Sequence, residues 1–433
     1  MRSASSFLGA LAVIKFPSFA LFGLVAAFAG CGGADFEPLD QAGLAAVGDR
    51  VDDASYPPAA PTLPAEGGLG CSVAFRDFGG KTAVSGRFKT ARVQRWKSIF
   101  PQMHRVHDTV IGVDSDGLNV GVSGDAGIVA KLKYNTHFTT LRQAVFGEVA
   151  ELWVRTCSAD APWEHFGSET SDDDGLVRFS IAAGRLAPGD YAVAVRVDGD
   201  GSFATGELGV WPRGTEAVVI DVDGTMNQSI VQGAKEAVGL RARPIPTAAQ
   251  LFRMYAEHGY KIVYLSGRAP SMTGSQREFM EFADFPRGIS ILSREKFSDL
   301  LQDNAPFKQI PGPLVNFSIV NHKRDTMDRL RDSFGIKWSA GYGDMPTDAI
   351  AYFLAGVSRE QVWLRGKHHE ASVPVFDHRP GKSTPDMIDG KPQKWKVQSS
   401  GGEELSYANH IDAIRRTLPY VNGFSADHPH QLF

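Results

Sequence analysis

An α/β domain with a parallel sheet, preceded by a β-sandwich, is the fold class this sequence predicts. Three observations predict it. From about Val106 to Val210 apolar and polar residues alternate with a period of two. After Arg213-Gly214 short β-branched runs alternate with helical stripes. Past that point each polar, chemistry-bearing cluster falls at the carboxyl end of a strand-like run, where open parallel sheets bind ligands.

Length and charge set the frame. The 433 residues suit two domains plus accessory segments. The formal net charge of -4 leaves no electrostatic footprint for nucleic acid. Arg2 and Lys15 precede an apolar run from Phe16 to Ala29 that reads as an export signal, too short for a membrane span. It ends Phe28-Ala29-Gly30-Cys31, which resembles a bacterial lipobox. Residues 1–30 are then expected to be a lipoprotein signal peptide, with Cys31 lipidated and the chain held at a membrane by its acyl anchor. With Gly32 after the cysteine and no aspartate there, the expected location is the outer membrane, facing the periplasm or the surface. Ordinary cleavage near Ala29 is the alternative. Cys71 and Cys157 remain as a candidate disulfide outside the cytosol, with two free thiols as the alternative.

Residues 31–68 carry Pro57, Pro58, Pro61 and Pro64 and read as a flexible tether. Residues 69–212 form the β-sandwich-like domain. Its first part, Cys71 to Ile99, mixes basic and aromatic residues, read either as contact with anionic lipid or as a solvated face. Leu152-Trp153-Val154, Leu176–Phe179 and Tyr191–Val195 read as strands. Between them lie Asp114–Gly117, Asp172–Gly175 and Asp198–Gly201, which supply positive φ in hairpin turns or, alternatively, bind calcium.

In residues 213–433, Ala217–Val222 is the first strand of the α/β part. Ala248, Leu251, Phe252 and Tyr255 form a helical stripe closed by Gly259, and Lys261–Leu265 is the next strand. Lys323 opens a helix carrying Met327, Leu330 and Phe334, closed by Gly335. Ile336–Ala340 is a strand, Ala349 to Leu354 a helix, Gln361–Leu364 a strand, and Ser406 to Thr417 a closing helix. His368-His369-Glu370 and His378 meet no metal-spacing template and read as exposed loop.

The centre of the chain is Val218-Val219-Ile220-Asp221-Val222-Asp223-Gly224-Thr225. Two carboxylates at a strand mouth repel, and a divalent cation with hard oxygen ligands resolves that repulsion. Ser266-Gly267-Arg268 ends the second strand, Lys323 stands on a helix, and Gly343-Asp344-Met345-Pro346-Thr347-Asp348 follows the strand from Ile336. In order and spacing these four features resemble the haloacid-dehalogenase (HAD) phosphotransferase superfamily. With Trp211–Glu216, Tyr264–Pro270 and Ala340–Gly343 they look closest to the lipin-type domain. That domain occurs in phosphatidate phosphatases and at the C-terminus of membrane-associated phosphatidylinositol transfer proteins of the retinal-degeneration-B type. The resemblance covers roughly residues 105 to 366.

The resemblance implies an α/β HAD-like Rossmannoid sheet and a magnesium-dependent phosphomonoester hydrolase acting on phosphatidic acid or a related lipid phosphate. Asp221 would be the nucleophile and Asp223 the general acid and base. Magnesium would bind Asp221, the carbonyl of Asp223, and Asp344, with Asp348 orienting a ligand or its water. Ser266 and Lys323 would hold phosphoryl oxygens. Thr225 would support the loop, and with Gly267 and Arg268 it completes the candidate substrate-binding set; an internal ion pair is the alternative for Arg268. In the transfer-protein branch the first aspartate is typically replaced and the domain binds phosphatidic acid without hydrolysing it; here Asp221 is present. A lipid-binding module without turnover and a phosphatase of soluble metabolites are the competing expectations.

Overall fold

The computed structural model describes residues 106–111, 126–134, 146–156, 161–173, 175–182, 184–198, 203–228, 242–268, 273–292, 317–376, 385–402 and 406–425. The signal peptide, Cys31, the tether, Cys71, Cys157 and His378 lie outside them. So do the basic-aromatic stretch from Cys71 to Ile99, the Asp114–Gly117 cluster and most of the loop after Asn227.

Among the described residues seven strands come first: β1 (Val106–Ile111), β2 (Ala126–Tyr134), β3 (Val149–Thr156), β4 (Glu164–Thr170), β5 (Leu176–Ile181), β6 (Gly189–Val197) and β7 (Phe203–Val210). They pair antiparallel into two sheets, ordered β1-β2-β5 and β4-β3-β6-β7. The period of two decides which side chains turn inward: Ile128, Ala130 and Leu132, Val177, Phe179 and Ile181, Leu152 and Val154, and Val193 and Val195 share one apolar cluster. At the turn between β4 and β5, which leads from one sheet to the other, Gly175 takes φ 74° and Asp172 Oδ1 accepts the Leu176 N–H at 2.8 Å. The cluster acts there as turn chemistry.

The α/β part is a six-stranded, wholly parallel sheet. Its strands are β8 (Glu216–Ile220), β9 (Lys261–Ser266), β10 (Ile289–Leu292), β11 (Lys337–Gly343), β12 (Val362–Arg365) and β17 (Gln398–Gly401). Between β12 and β17 lie two small antiparallel pairs, β13 (Ser372–Pro374) with β16 (Lys394–Lys396) and β14 (Met387–Ile388) with β15 (Lys391–Pro392). Among the described residues the α-helices are α1 (Ala248–Glu257), α2 (Thr273–Phe282), α3 (Phe317–Phe334), α4 (Pro346–Leu354) and α5 (Ala408–Ile414).

The sheet order is β10-β9-β8-β11-β12-β17. It is the doubly wound order, with the chain reversing direction across the sheet between β8 and β11. Both faces of β8 are therefore covered. Ala217 and Val219 join the cluster of α3 and α4 with Met327, Leu330 and Ile350. Val218 and Ile220 join that of α1 and α5 with Leu251, Phe252 and Ile411. Each fully buried side chain of this size contributes roughly 1.5–3 kcal/mol. The two regions meet at polar contacts: Asp190 accepts from Trp211 Nε1 and Lys261 Nζ, both at 2.6 Å, and Glu207 accepts the Gly288 N–H at 3.1 Å.

Several boundaries differ from the sequence expectation: β8 ends at Ile220 and not Val222, α4 starts at Pro346 and not Ala349, and α5 spans only Ala408–Ile414. The strand after α3 starts at Lys337 and runs on through Gly343, because its two glycines let α4 lie against it. Lys323 does not open its helix; α3 begins at Phe317 and Lys323 lies in its second turn. The strands β10 and β17, which widen the sheet on both sides, are not among the expected elements; β10 is a short apolar run, Ile289-Ser290-Ile291-Leu292, whereas β17 has no local strand pattern.

Candidate active site

The switch point between β8 and β11 is where the acidic residues collect. The Asp221 N–H donates to Tyr342 O at 2.9 Å, so the pairing of the two strands continues one residue past Ile220. Asp221 and Asp344 thus leave neighbouring strands at the same end. Asp348 enters from α4, whose first turn is set by Pro346. Carboxylate oxygens of Asp221, Asp344 and Asp348 all lie within 4.8 Å of one another. Asp221 and Asp348 are buried and Asp344 is half-buried.

Lys323 is the counter-charge. Its Nζ donates to Asp221 Oδ1 at 2.5 Å and to Asp348 Oδ1 at 2.6 Å. It reaches them because Val320, Lys323, Met327 and Leu330 share the spacing of one helical face, and that face is buried. The other oxygen of Asp348 accepts the N–H groups of Asp344 (3.2 Å) and Met345 (3.1 Å). Asp348 therefore caps its helix and holds the lysine at once. A Cβ on Gly343 would come within 2.5 Å of the Asp348 Cβ, so only glycine lets α4 approach here.

The turn after Asp221 is equally tight. Gly224 sits at φ 77°, and a Cβ there would lie 2.0 Å from Asp344 Oδ2. Thr225 is fully buried, and its Oγ1 donates to Asp221 Oδ2 at 3.5 Å. Asn227 Oδ1 accepts the Gly224 N–H, and its Nδ2 donates to Asp223 Oδ1, both at 2.9 Å.

Asp223 faces a different partner. Arg268 Nε donates to one of its oxygens and Nη2 to the other, each at 2.7 Å. This two-pronged pair realises the internal ion pair for Arg268. Ser266 is buried at the end of β9 and its Oγ accepts the Arg268 N–H at 3.2 Å. Gly267 follows it, with Ile319 of α3 3.9 Å from where a Cβ would be.

Burial pushes the Asp221 carboxyl up to about 7, against the pull of Lys323 and with the help of Asp348 and Asp223. Asp344 is pushed well above the carboxylate range by burial and by the charge of Asp221. Burial works against the charge of Lys323, but Asp221 and Asp348 together outweigh it and raise the ammonium well above its ordinary value. With all three carboxylates ionised, the one ammonium would leave an excess of two negative charges. One divalent cation would cancel it, and an all-oxygen donor set fits magnesium.

Sequence reasoning did not find Asn227, Arg365 or Tyr407. Asn227 carried a local signal, since asparagine in a glycine turn commonly bonds nearby backbone. Arg365 and Tyr407 carried none, because they reach the turn from distant parts of the chain.

Residues 218–366 match the family model for the LNS2 domain of PITM 1-3, which is HAD-like. The match covers about a third of the chain. Among curated relatives, membrane-associated phosphatidylinositol transfer protein 1 of Rattus norvegicus is 29% identical over 222 residues, 51% of this chain and 16% of that protein. The type 3 protein of Homo sapiens is 26% identical over 225 residues, 52% and 20%. Protein retinal degeneration B of Drosophila melanogaster is 25% identical over 222 residues, 51% and 16%. The chain thus spans a fifth or less of the length of these relatives. Among solved structures, the likeness to PhoD has a TM-score of 0.26 at 8% identity, over 55% of this chain and 47% of that one, too low to bear on the fold.

Proposed function

We propose that the chain is a magnesium-dependent phosphomonoester hydrolase working through a phosphoryl group on Asp221, with phosphatidic acid or a related lipid phosphate as substrate. The observation that carries this reading is the buried Asp221 at the switch point, bonded to Lys323 and within reach of Asp344 and Asp348. Asp221, Asp344 and Asp348, with the Asp223 carbonyl, would hold the cation. When bound, magnesium supplies charge compensation between the nucleophile and the anionic phosphate.

The chain's own groups do the rest. An Asp221 oxygen attacks phosphorus, and the bond to the leaving alcohol oxygen breaks. Asp223, protonated, gives that oxygen its proton and then takes one from the water that attacks the phosphoryl-aspartate. Inorganic phosphate leaves and Asp221 is regenerated. Lys323 offsets charge on the phosphoryl oxygens, and Ser266 donates a hydrogen bond to one of them. For Asp223 to act, its pair with Arg268 must open, and an incoming phosphate is a natural exchange partner for that guanidinium.

The same pair supports a second reading, a lipid-phosphate-binding module without turnover, since both Asp223 oxygens are engaged. The names of the relatives are compatible with it. In either case the antiparallel region, read as a sandwich, serves as spacer or docking module, and Cys31 as the membrane anchor. The test is phosphate release with magnesium from phosphatidic acid vesicles and from soluble phosphomonoesters. Release from the vesicles supports the lipid hydrolase. Release from soluble esters alone contradicts the lipid substrate, and vesicle binding without release favours the binding module.

A further inference from the structure

Two consecutive carbonyls of the turn after Asp221 are held by side chains from the far end of the chain. Arg365 Nη1 donates to Gly224 O at 3.0 Å, and Tyr407 Oη donates to Thr225 O at 3.0 Å. Both donors are buried, Arg365 at 3% and Tyr407 at 0% exposure. The Arg365 guanidinium lies over the Tyr407 ring, 5.3 Å from its centroid, so each steadies the other. Arg365 ends β12. Tyr407 precedes α5, 41 residues beyond the segment that matches the LNS2 domain.

Tyr407 is itself fixed. Its N–H donates to Thr247 Oγ1 at 2.7 Å, that hydroxyl lies 3.2 Å from Ser406 Oγ, and its ring packs against Phe252 and Tyr342. A peptide plane is rigid, so fixing a carbonyl fixes the N–H on its other side. Holding Gly224 O sets the direction of the Thr225 N–H. Holding Thr225 O sets that of the Met226 N–H, which donates to Val222 O at 2.9 Å. The turn that carries Thr225 Oγ1 to Asp221 is therefore braced on its back by two buried donors that water cannot replace.

We propose that Arg365 and Tyr407 are positioning residues for the Asp221–Thr225 turn, and that the C-terminal segment beyond Gly366 is a working part of the phosphotransfer site. The kinetic consequence rests on the hydrolase reading above; the structural consequence does not.

The test uses the full chain with Tyr407→Phe, which deletes one hydroxyl, and Arg365→Lys, which keeps the charge and loses the guanidinium fork. Two quantities are read below the melting temperature of each variant: amide exchange of the 221–228 segment, and magnesium-dependent turnover of para-nitrophenyl phosphate. The brace predicts exchange faster by about fivefold or more. It also predicts kcat lower by about tenfold with KM within about twofold, the pattern of a misaimed reacting group. A purely structural role would lower the melting temperature and leave kcat unchanged, which overturns the proposal, as does wild-type exchange in both variants. If the wild type turns over no phosphomonoester, the hydrolase reading falls and exchange alone decides: faster exchange supports the brace and unchanged exchange overturns it.

Discussion

The exposed ion pairs of the antiparallel region contrast with the buried cluster at the mouth of the parallel sheet. In the antiparallel region two ion pairs stay near water, Arg178 and Asp172 at 57% and 41% exposure and Arg196 and Glu151 both at 23%, although Glu148 and Arg155 there are buried. At the sheet mouth, Lys323, Asp221 and Asp348 are 3%, 8% and 3% exposed. Surface pairs contribute at most about 1 kcal/mol, whereas burying a charge costs several kcal/mol unless its partners are in place. The buried lysine–aspartate cluster lies at the sheet crossover, the place where open parallel sheets bind ligands.

The contrast is open to attack at graded strengths. Lys323→Met leaves two buried carboxylates without their ammonium. Urea denaturation in EDTA should show a loss of roughly 3–5 kcal/mol, partly restored by magnesium. A loss as small as that of a surface pair would break the comparison.

Asp221→Asn tests the same burial through pH. The folded value of about 7 lies above the ordinary carboxylate value of the unfolded chain. The native state therefore holds the extra proton, and its stability falls as pH rises through the window between the two values. Asparagine does not ionise. Its melting-temperature advantage over wild type in EDTA should grow by on the order of several degrees between about pH 5 and pH 8, and magnesium should shrink it. A difference flat in pH would contradict the assignment.

Gly224→Ala adds a methyl group at φ 77° against Asp344. The expected cost is about 1–3 kcal/mol, with magnesium affinity weakened in calorimetry. In the antiparallel region, Arg178→Ala should change stability by no more than about 0.5 kcal/mol in the same urea assay.

The two regions also differ in how their sequence could be read. The antiparallel strands announce themselves because one face is wet: β5 alternates buried and exposed along Val177-Arg178-Phe179-Ser180-Ile181. The parallel strand β8 reads instead as a continuous apolar run ending in carboxylates, since both faces are covered. Strand β17, Gln398-Ser399-Ser400-Gly401, is short and polar, and nothing local marks it as part of the sheet. Asp221, Lys323, Asp344 and Asp348 were legible through motif order. A lysine on the stripe of Val320, Met327 and Leu330 was a further physical clue, because that stripe had to be buried. The grip of Arg268 on Asp223 stayed open, as the sequence fits both an ion pair and a substrate contact. The brace from Arg365 and Tyr407 depends on tertiary approach alone.

The central claim is that Asp221 carries the phosphoryl group. The most direct measurement is magnesium-dependent phosphate release from phosphatidic acid vesicles by wild type and by Asp221→Asn, with the fold of each checked by thermal melting. The account predicts release by wild type and a loss of at least about a thousandfold in the variant. Equal release by both proteins, or a folded wild type that binds the vesicles and releases no phosphate, would contradict it.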